Sequence, residues 1–358
     1  MKILALAAYP ERIASTRFRI CRYVEPLRAL GIDVELVPWL DDGGAAALYR
    51  KGGLPRASVA GSRGVLRQLR AVTRGGHDAV WVQREAVLAG PPIVEALALA
   101  RAPLVLDYDD AVWIAQGHAI KRAAKLPWKF DWVLRRATHA IAGSTQLAAH
   151  ARALGVATTV VPTVVERAAW TPRTDAERPG PLVVGWIGTH STAPQLALVA
   201  PALRRLRAEG RAFRFVVVGA GEGFRLDGVD VEIRPWTLAT EIDAFRDLDV
   251  GLAPMQRSAW HEGKCGFKQI QYMAVGVPCV SSLVGGARDF VVDEVNALVA
   301  ETEDDWYRQL LRLLTDGGLR ARLAARGRAL VESRLCVEEQ AHVVANVLRE
   351  AAVSGPRR

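Results

Sequence analysis

Short aliphatic runs alternate with longer amphipathic stretches along nearly the whole chain, and this alternation most constrains its fold. Runs such as Ile3–Ala7 or Phe215–Val218 are too uniformly apolar for a half-solvated sheet, and they suit strands buried on both faces. The stretches between them are long enough to return as helices, the pattern of βαβ units around a parallel sheet. The first series predicts strands at Lys2–Ala7, Asp33–Val37, Ala79–Gln83, Pro103–Asp107, His139–Ala142 and Thr159–Val161, with helices such as Arg17–Leu30 and Gln146–Leu154 between them. A second series predicts Leu182–Ile187, Phe213–Val218, Val231–Ile233, Val250–Ala253, Pro278–Ser281 and Ala297–Val299, then helix from Gly327 to about Ala352.

The two series are separated by a polar stretch containing Pro172, Pro179 and Pro181, which reads as a linker. A chain of 358 residues also exceeds the roughly 250–300 at which single cores stop growing. The expected organisation is therefore α/β, with two doubly wound Rossmann-like domains at 1–168 and 181–330, a linker at 169–180 and a final helix within 331–358. Ligands of such sheets bind beyond the carboxyl ends of the strands, so the chemistry is sought in those loops.

Composition excludes several classes. Half the residues are hydrophobic and 24% are charged, which rules out disorder and collagen-like repeats. No run reaches the ~20 apolar residues of a membrane span. The most apolar stretch, 86–106, is interrupted by Pro91, Pro92, Glu95 and Arg101. Glu11 and Arg12 follow the first apolar run too closely for a signal peptide, so it reads as a strand. Cys21, Cys265, Cys279 and Cys336 form no CxxC pair, and a reducing cytoplasm is the expected location.

Charge is unevenly distributed. Residues 1–170 hold 23 Lys/Arg against 14 Asp/Glu, while 171–358 hold 24 of each. One basic cluster, with no acid between Asp42 and Asp78, contains Arg50, Lys51, Arg56, Arg63, Arg67, Arg70 and Arg74. Another interleaves Lys121, Arg122, Lys125, Lys129, Arg135 and Arg136 with Trp128, Phe130 and Trp132. Either a solvated face or contact with an anionic membrane, such as the inner face of the cell membrane, fits this pattern. No nucleic-acid-binding module appears.

Two glycine-rich segments invite a phosphate-binding reading. Val218-Gly219-Ala220-Gly221-Glu222-Gly223 lacks the third small residue of a dinucleotide fingerprint, because Phe224 stands there, and the next strand leaves no room for the required helix. A strand and turn are expected instead, and NAD is not. Gly263-Lys264-Cys265-Gly266-Phe267-Lys268-Gln269-Ile270-Gln271-Tyr272-Met273-Ala274-Val275-Gly276-Val277-Pro278 reads as a loop feeding a helix that stops at Gly276. Lys264 and Lys268 add cations to the helix N-terminus, a combination suited to a diphosphate. Gln271, one turn further in, would reach a ribose or sugar hydroxyl.

This segment resembles the donor-site signature of the retaining GT-B glycosyltransferases of family 4, the glycosyl transferases group 1. The resemblance extends to Ala14-Ser15-Thr16-Arg17-Phe18-Arg19, Val82-Gln83-Arg84-Glu85, Leu106-Asp107-Tyr108-Asp109-Asp110-Ala111-Val112-Trp113 and Val184-Gly185-Trp186-Ile187-Gly188-Thr189. The two Glu of the family pattern fall on Gly263, beside Glu262, and on Gln271. The Arg and Lys that commonly follow the first donor-domain strand are replaced by Gly188-Thr189-His190-Ser191-Thr192-Ala193. Lys264 and Lys268 are the cations that remain for the diphosphate.

The resemblance implies two domains facing across a cleft, with the acceptor held by the first and a nucleotide-diphosphate sugar by the second. Transfer would go to a hydroxyl with retention and without a metal cofactor, in cell-surface glycan or glycolipid assembly. Ser15, Thr16, Arg17 and Arg84 are the candidate acceptor or cleft residues. Gly188, Thr189, His190, Trp236, Lys264, Lys268, Gln271 and Gly285 are the candidate donor residues, and Asp109, Asp110 and Lys268 the candidate catalytic ones. For Asp109 and Asp110 three roles are open: general base or acceptor contact, a DxD-type metal ligand, and helix capping. Trp236 suits base contact and core packing equally, and Gly285-Gly286 suits either phosphate-binding amides or a turn. His118 and His261 read as incidental. Two rivals are an epimerase or hydrolase on the same fold and a non-catalytic carbohydrate-binding relative.

Overall fold

The computed structural model describes residues 1–48, 50, 52–114, 126, 128–173 and 179–355. It divides into two compact units, one of residues 1–163 with 337–358, the other of residues 164–336. Each is built on a six-stranded sheet whose pairings are all parallel.

In the first unit the order along the chain is β1 (Lys2–Ala7), α1 (Ala14–Arg19), α2 (Val24–Ala29), β2 (Asp33–Pro38), α3 (Asp42–Leu48), α4 (Leu54–Arg74) and β3 (Ala79–Gln83). There follow α5 (Ile93–Arg101), β4 (Leu104–Tyr108), α6 (Trp128–Leu134), β5 (His139–Ala142), α7 (Thr145–Ala153) and β6 (Thr158–Val160). The spatial order is β2-β1-β3-β4-β5-β6. Strands β3 and β4 are buried at every position, as an apolar run between two helical layers requires.

The second unit runs β7 (Leu182–Ile187), α8 (Ala200–Ala208), β8 (Phe213–Val218), β9 (Glu232–Arg234), α9 (Glu241–Arg246) and β10 (Val250–Ala253). It continues with α10 (Phe267–Ala274), β11 (Cys279–Ser281), β12 (Leu298–Val299), α11 (Glu303–Thr315) and α12 (Gly317–Ser333). Its sheet order is β12-β11-β10-β7-β8-β9. Trp186, Phe213, Phe215 and Trp306 fill its core with the leucines of α8 and α11. The chain then returns to the first unit as α13 (Val337–Ser354), which packs on α2, β3 and β4, and Arg349 donates to the Leu30 carbonyl at 2.6 Å. Among the described residues no helix is long and apolar enough to cross a membrane.

Three local expectations are corrected. The helix expected over Arg17–Leu30 is broken into α1, a single 3-10 turn at Cys21–Tyr23, and α2. Pro26 has no N–H to donate and is tolerated only in a first helical turn, so a helix starts at Val24 but none runs through. The helix expected from Gly327 to Ala352 is split between α12 and α13 at Arg334–Cys336, where the chain passes from one unit to the other. The unit boundary falls at Thr163/Val164 rather than 168. Trp170, read as linker, is buried in the second unit, its ring centroid 5.4 Å from that of Phe245. Arg246 holds the neighbouring chain by donating to the Thr171 carbonyl at 3.0 Å.

Helix α4 sits unusually close to the chain beyond β2. Where it meets Trp39 its inner face has no side chains, with Gly61 and Gly64 buried, and Trp39 donates its indole N–H to the Gly61 carbonyl at 2.8 Å. A Cβ on Gly64 would lie 1.7 Å from the Trp39 carbonyl oxygen. Gly64→Ala is expected to destabilise the fold by about 3 kcal/mol, the upper range for overpacking. Gly223→Ala, at a position with open space around it, is the neutral control. Urea denaturation compares the two, and equal midpoints would contradict the close packing.

Candidate functional site

In the second unit the chain leaves β7 to build β8 and β9 on one side of it, then crosses to lay β10, β11 and β12 on the other. The carboxyl ends of β7 and β10 therefore border the crevice where such sheets bind ligands. After β7 the loop lies directly on the Trp186 ring, because a Cβ on Gly188 would fall 2.4 Å from that ring. The Thr189 and Ser191 hydroxyls are 2.8 Å apart, and His190 points into solvent at the tip of the turn.

After β10 the chain passes through a 3-10 turn at His261–Gly263 and enters α10. Gly266 caps α10 with φ +70, and a Cβ there would meet the Ala287 backbone nitrogen at 2.9 Å. At the other end Gly276 donates to Met273 at 3.1 Å and Val277 to Tyr272 at 2.9 Å, a Schellman stop at the predicted glycine. Gln269 ties the helix to β11 by donating to the Ser281 hydroxyl at 2.8 Å.

Two lysines flank the start of α10, each set over an indole. The Lys264 ammonium is 4.6 Å from the Trp260 ring centroid, and that of Lys268 is 5.3 Å from the Trp186 ring centroid. Lys268 has no hydrogen bond and no carboxylate partner among the described residues, so the aromatic face is the group that steadies its charge. Burial, reinforced by the neighbouring Lys264 charge, lowers its pKa to about 8. It remains mainly an ammonium at pH 7. One turn on, Gln271 is only 6% exposed and its amide makes no hydrogen bond among the described residues.

Glu262, beside the position of the first family Glu, is engaged elsewhere. It accepts from Arg288 at 3.0 Å and from the Gly285 N–H at 3.0 Å, and the Arg288 guanidinium holds its pKa below the usual carboxylate range. The phosphate-binding role considered for Gly285 and Gly286 is therefore corrected, since Gly286 likewise donates to the Lys264 carbonyl at 2.7 Å. Gly285 instead permits a tight turn: with φ +60, a Cβ would lie 2.4 Å from the Lys264 carbonyl oxygen. Glycine is needed there so that this loop supports the lysine segment.

The segment after β8 is a turn with no helix, as Phe224 implied. Gly219 has φ +82 and packs against the Gly188 carbonyl, which a Cβ would approach to 2.2 Å. Trp236 is 39% exposed beside it, so core packing does not account for this ring. His261 is held by Ser258 at 2.8 Å and by Gln195 at 3.2 Å, while His118 lies outside the described residues.

In the first unit the switch point lies between β1 and β3, and the structure gathers the predicted residues there and at the end of β4. Arg84, with φ +58, extends its fork to Asp109 and Asp110, each at 2.7 Å. Beneath it the buried Arg19 holds Asp107 through both oxygens, at 2.8 and 3.0 Å, and donates to the Val161 carbonyl at 2.7 Å. Burial opposes the Arg19 charge, but the facing carboxylate outweighs it and keeps the guanidinium protonated far above ordinary pH. Asp109 and Asp110 thus present a carboxylate pair bridged by Arg84, whose single positive charge offsets one of the two. No group of three metal-ligating side chains occurs among the described residues.

Not every predicted acceptor residue faces outward. Thr16 is fully buried and donates to the Tyr9 carbonyl at 3.0 Å, and Arg17 is buried with a bond to the Arg12 carbonyl at 3.2 Å. Both brace the loop after β1, and Ser15 is partly covered. The basic-aromatic cluster is also corrected in part. Lys129 is buried 3.3 Å from Glu95 and 3.8 Å from Glu85, and Phe130 is buried with it. Lys121, Arg122 and Lys125 lie outside the described residues. The indole supports at Trp186 and Trp260 and the Arg19–Asp107 pair were missed as site elements. Their only sequence signal was an aromatic residue next to a glycine turn or an arginine two residues past the Ser-x-Arg start.

Residues 181–316 match a family model described as glycosyl transferases group 1. A D-inositol 3-phosphate glycosyltransferase from Xylanimonas cellulosilytica is 35% identical over 118 residues, which are 32% of this chain and 27% of that relative. The chain thus spans about a quarter of the length of that relative. Among solved structures, sucrose-phosphate synthase from Thermosynechococcus elongatus aligns with TM-score 0.70 and 15% identity, covering 99% of this chain and 100% of that one. HepE from Anabaena, crystallised with UDP, aligns with TM-score 0.68 and 16% identity over 98% and 100%. These likenesses show the fold, two Rossmann-like domains of the GT-B type.

Removing one member of a buried ion pair leaves the other uncompensated, so Asp107→Ala is expected to cost about 3–5 kcal/mol. Thermal unfolding would register it, and a wild-type melting temperature would contradict the buried Arg19 charge.

Proposed function

We propose that this chain, whose residues 181–316 match a model of the glycosyl transferases group 1, transfers a sugar from a nucleotide-diphosphate donor to a hydroxyl acceptor. The observation that carries the proposal is Lys268, a half-buried ammonium at a sheet switch point, steadied by an indole and left without a carboxylate among the described residues. An ammonium left without a carboxylate is suited to an anionic ligand, and Lys264 stands near it. Glu262, already neutralised by Arg288, does not compete for either.

Charge accumulates on the leaving diphosphate as the glycosidic bond breaks. Fixed cations beside it therefore stabilise the transition state more than the ground state. Gln271 has an uncommitted amide for a ribose or sugar hydroxyl, and the exposed Trp236 ring suits stacking on the base. Thr189 and His190 offer further polar contacts above Gly188. In the first unit, Asp109 and Asp110 would orient the acceptor hydroxyl, with Arg84 fixing both carboxylates and Ser15 nearby in chain order after β1. Retention of configuration, independence from metal and a role in cell-surface glycan or glycolipid assembly belong to the same proposal. The Anabaena neighbour was also crystallised with UDP-glucose, which makes uridine nucleotides the first donors to try.

Lys268→Ala is expected to lower turnover at least ~100-fold, the effect of losing one preorganised electrostatic donor. Near-wild-type turnover would remove Lys268 from the site. A non-catalytic relative would instead bind UDP and release no sugar from any donor.

The depressed pKa gives a second test. A folded-state value of about 8, below the ordinary 10.5, means that the ligand-free protein loses this charge as pH rises through 8. UDP affinity should then fall by roughly tenfold per pH unit above 8 until the bound-state pKa is reached. In Lys268→Arg that decline should flatten, because guanidinium stays protonated. Calorimetric titration from pH 7 to about pH 9.5 reads both effects, and a flat wild-type profile would count against the lysine as a diphosphate ligand.

A further inference from the structure

Helix α4 leaves two aliphatic side chains on its basic outer face. Its inner face is lined by Ala57, Gly61, Gly64, Gln68, Ala71 and Val72, whereas Val59 and Leu66 stand outward at 55% and 53% exposure. Leu54 at its start is 66% exposed. An ordinary surface helix turns its bulky apolar residues inward. At Gly61 and Gly64 the close approach to Trp39 leaves no room for a side chain.

At 100° per residue, Arg56, Arg63 and Arg70 line one flank of the Val59–Leu66 ridge and all three are exposed. None has an ion-pair partner among the described residues, and no acid occurs between Asp42 and Asp78. The remaining arginines of α4 are used internally. Arg67 donates to the Pro38 and Trp39 carbonyls at 3.2 Å, and Arg74 pairs with Glu35.

We propose that this face of α4 docks the protein on an anionic lipid surface, with Val59 and Leu66 entering the headgroup boundary and Arg56, Arg63 and Arg70 meeting lipid phosphates. Charge complementarity selects an anionic partner. The exposed aliphatic ridge selects a bilayer over nucleic acid, whose phosphates offer nothing to Val or Leu. The inference stands apart from the donor site and survives if that reading fails.

The full chain would be sedimented with phosphatidylcholine vesicles alone and with vesicles containing about one-third phosphatidylglycerol. Wild type is expected to bind only the anionic vesicles and to lose at least ~tenfold in partition between about 0.1 and 0.5 M salt. Val59→Ser with Leu66→Ser, and separately Arg56→Gln with Arg63→Gln and Arg70→Gln, should each weaken binding about tenfold, because both signals are needed for stable anchoring. Both sets are exposed, so unchanged melting temperatures are expected. Equal binding to neutral vesicles would overturn the proposal, as would wild-type binding by the Val59/Leu66 variant. Tighter binding to polyuridylate than to the anionic vesicles, or a solution dimer abolished by the Val59/Leu66 variant, would assign the face to another partner.

Discussion

Parallel pairing governs both units. A parallel strand reaches its neighbour only by crossing back over the sheet, so the strand ends cannot be joined by tight hairpins and every carboxyl end opens into a loop. Where the winding direction reverses, two such loops diverge and leave a crevice. In the second unit the reversal lies between β7 and β10, and it brings the Gly188 turn together with the lysines before and within α10. In the first unit it lies between β1 and β3, near Arg84 and its carboxylates. Residues far apart in sequence converge because of topology, and glycines at 188, 219, 266 and 285 let the loops approach to distances no side chain would allow.

The two units treat charge differently. At the ends of β3 and β4, arginine meets carboxylate: Arg19 with Asp107, and Arg84 with Asp109 and Asp110. Such contacts fix geometry and set each carboxylate against a guanidinium. Beside α10 the acid that stands nearest in sequence, Glu262, is drawn off by Arg288 and the Gly285 amide, while Lys264 and Lys268 rest on indoles. An aromatic face attracts a cation without neutralising it, so this end of the sheet keeps a field that an anion can use. The depressed pKa of Lys268 has the same origin, because a charge kept uncompensated under cover is easier to discharge.

Much of the fold was legible. All twelve strands fall within a residue or two of their predicted positions, because an apolar run between helical stretches has few other uses. The Gly276 stop and the turn after β8 were equally readable, each resting on one residue's local chemistry. The misreadings have local causes too. Pro26 divides a helix that periodicity alone would continue. Trp170 lies in a proline-rich polar stretch yet packs on Phe245, and composition does not reveal which single residue of a linker finds a pocket. Lys129 reads as one more surface cation beside aromatics, but the fold places Glu85 and Glu95 around it.

The sequence by itself determined two parallel α/β units, the order of their elements and the presence of two lysines at the head of α10. Each follows from short-range periodicity or a helix-end residue. Only the tertiary structure decided which charges are satisfied and which are left over. Asp107, Asp109 and Asp110 look alike in sequence, yet one is buried against Arg19 and two share Arg84. Lys264, Lys268 and Lys129 look alike too, and two sit on indoles while one joins a buried acid pair. Except for Lys264 and Trp260, these partners lie roughly 25 to 90 positions apart and are brought together by strand order and loop approach, so the charge balance of a site is a property of the folded chain.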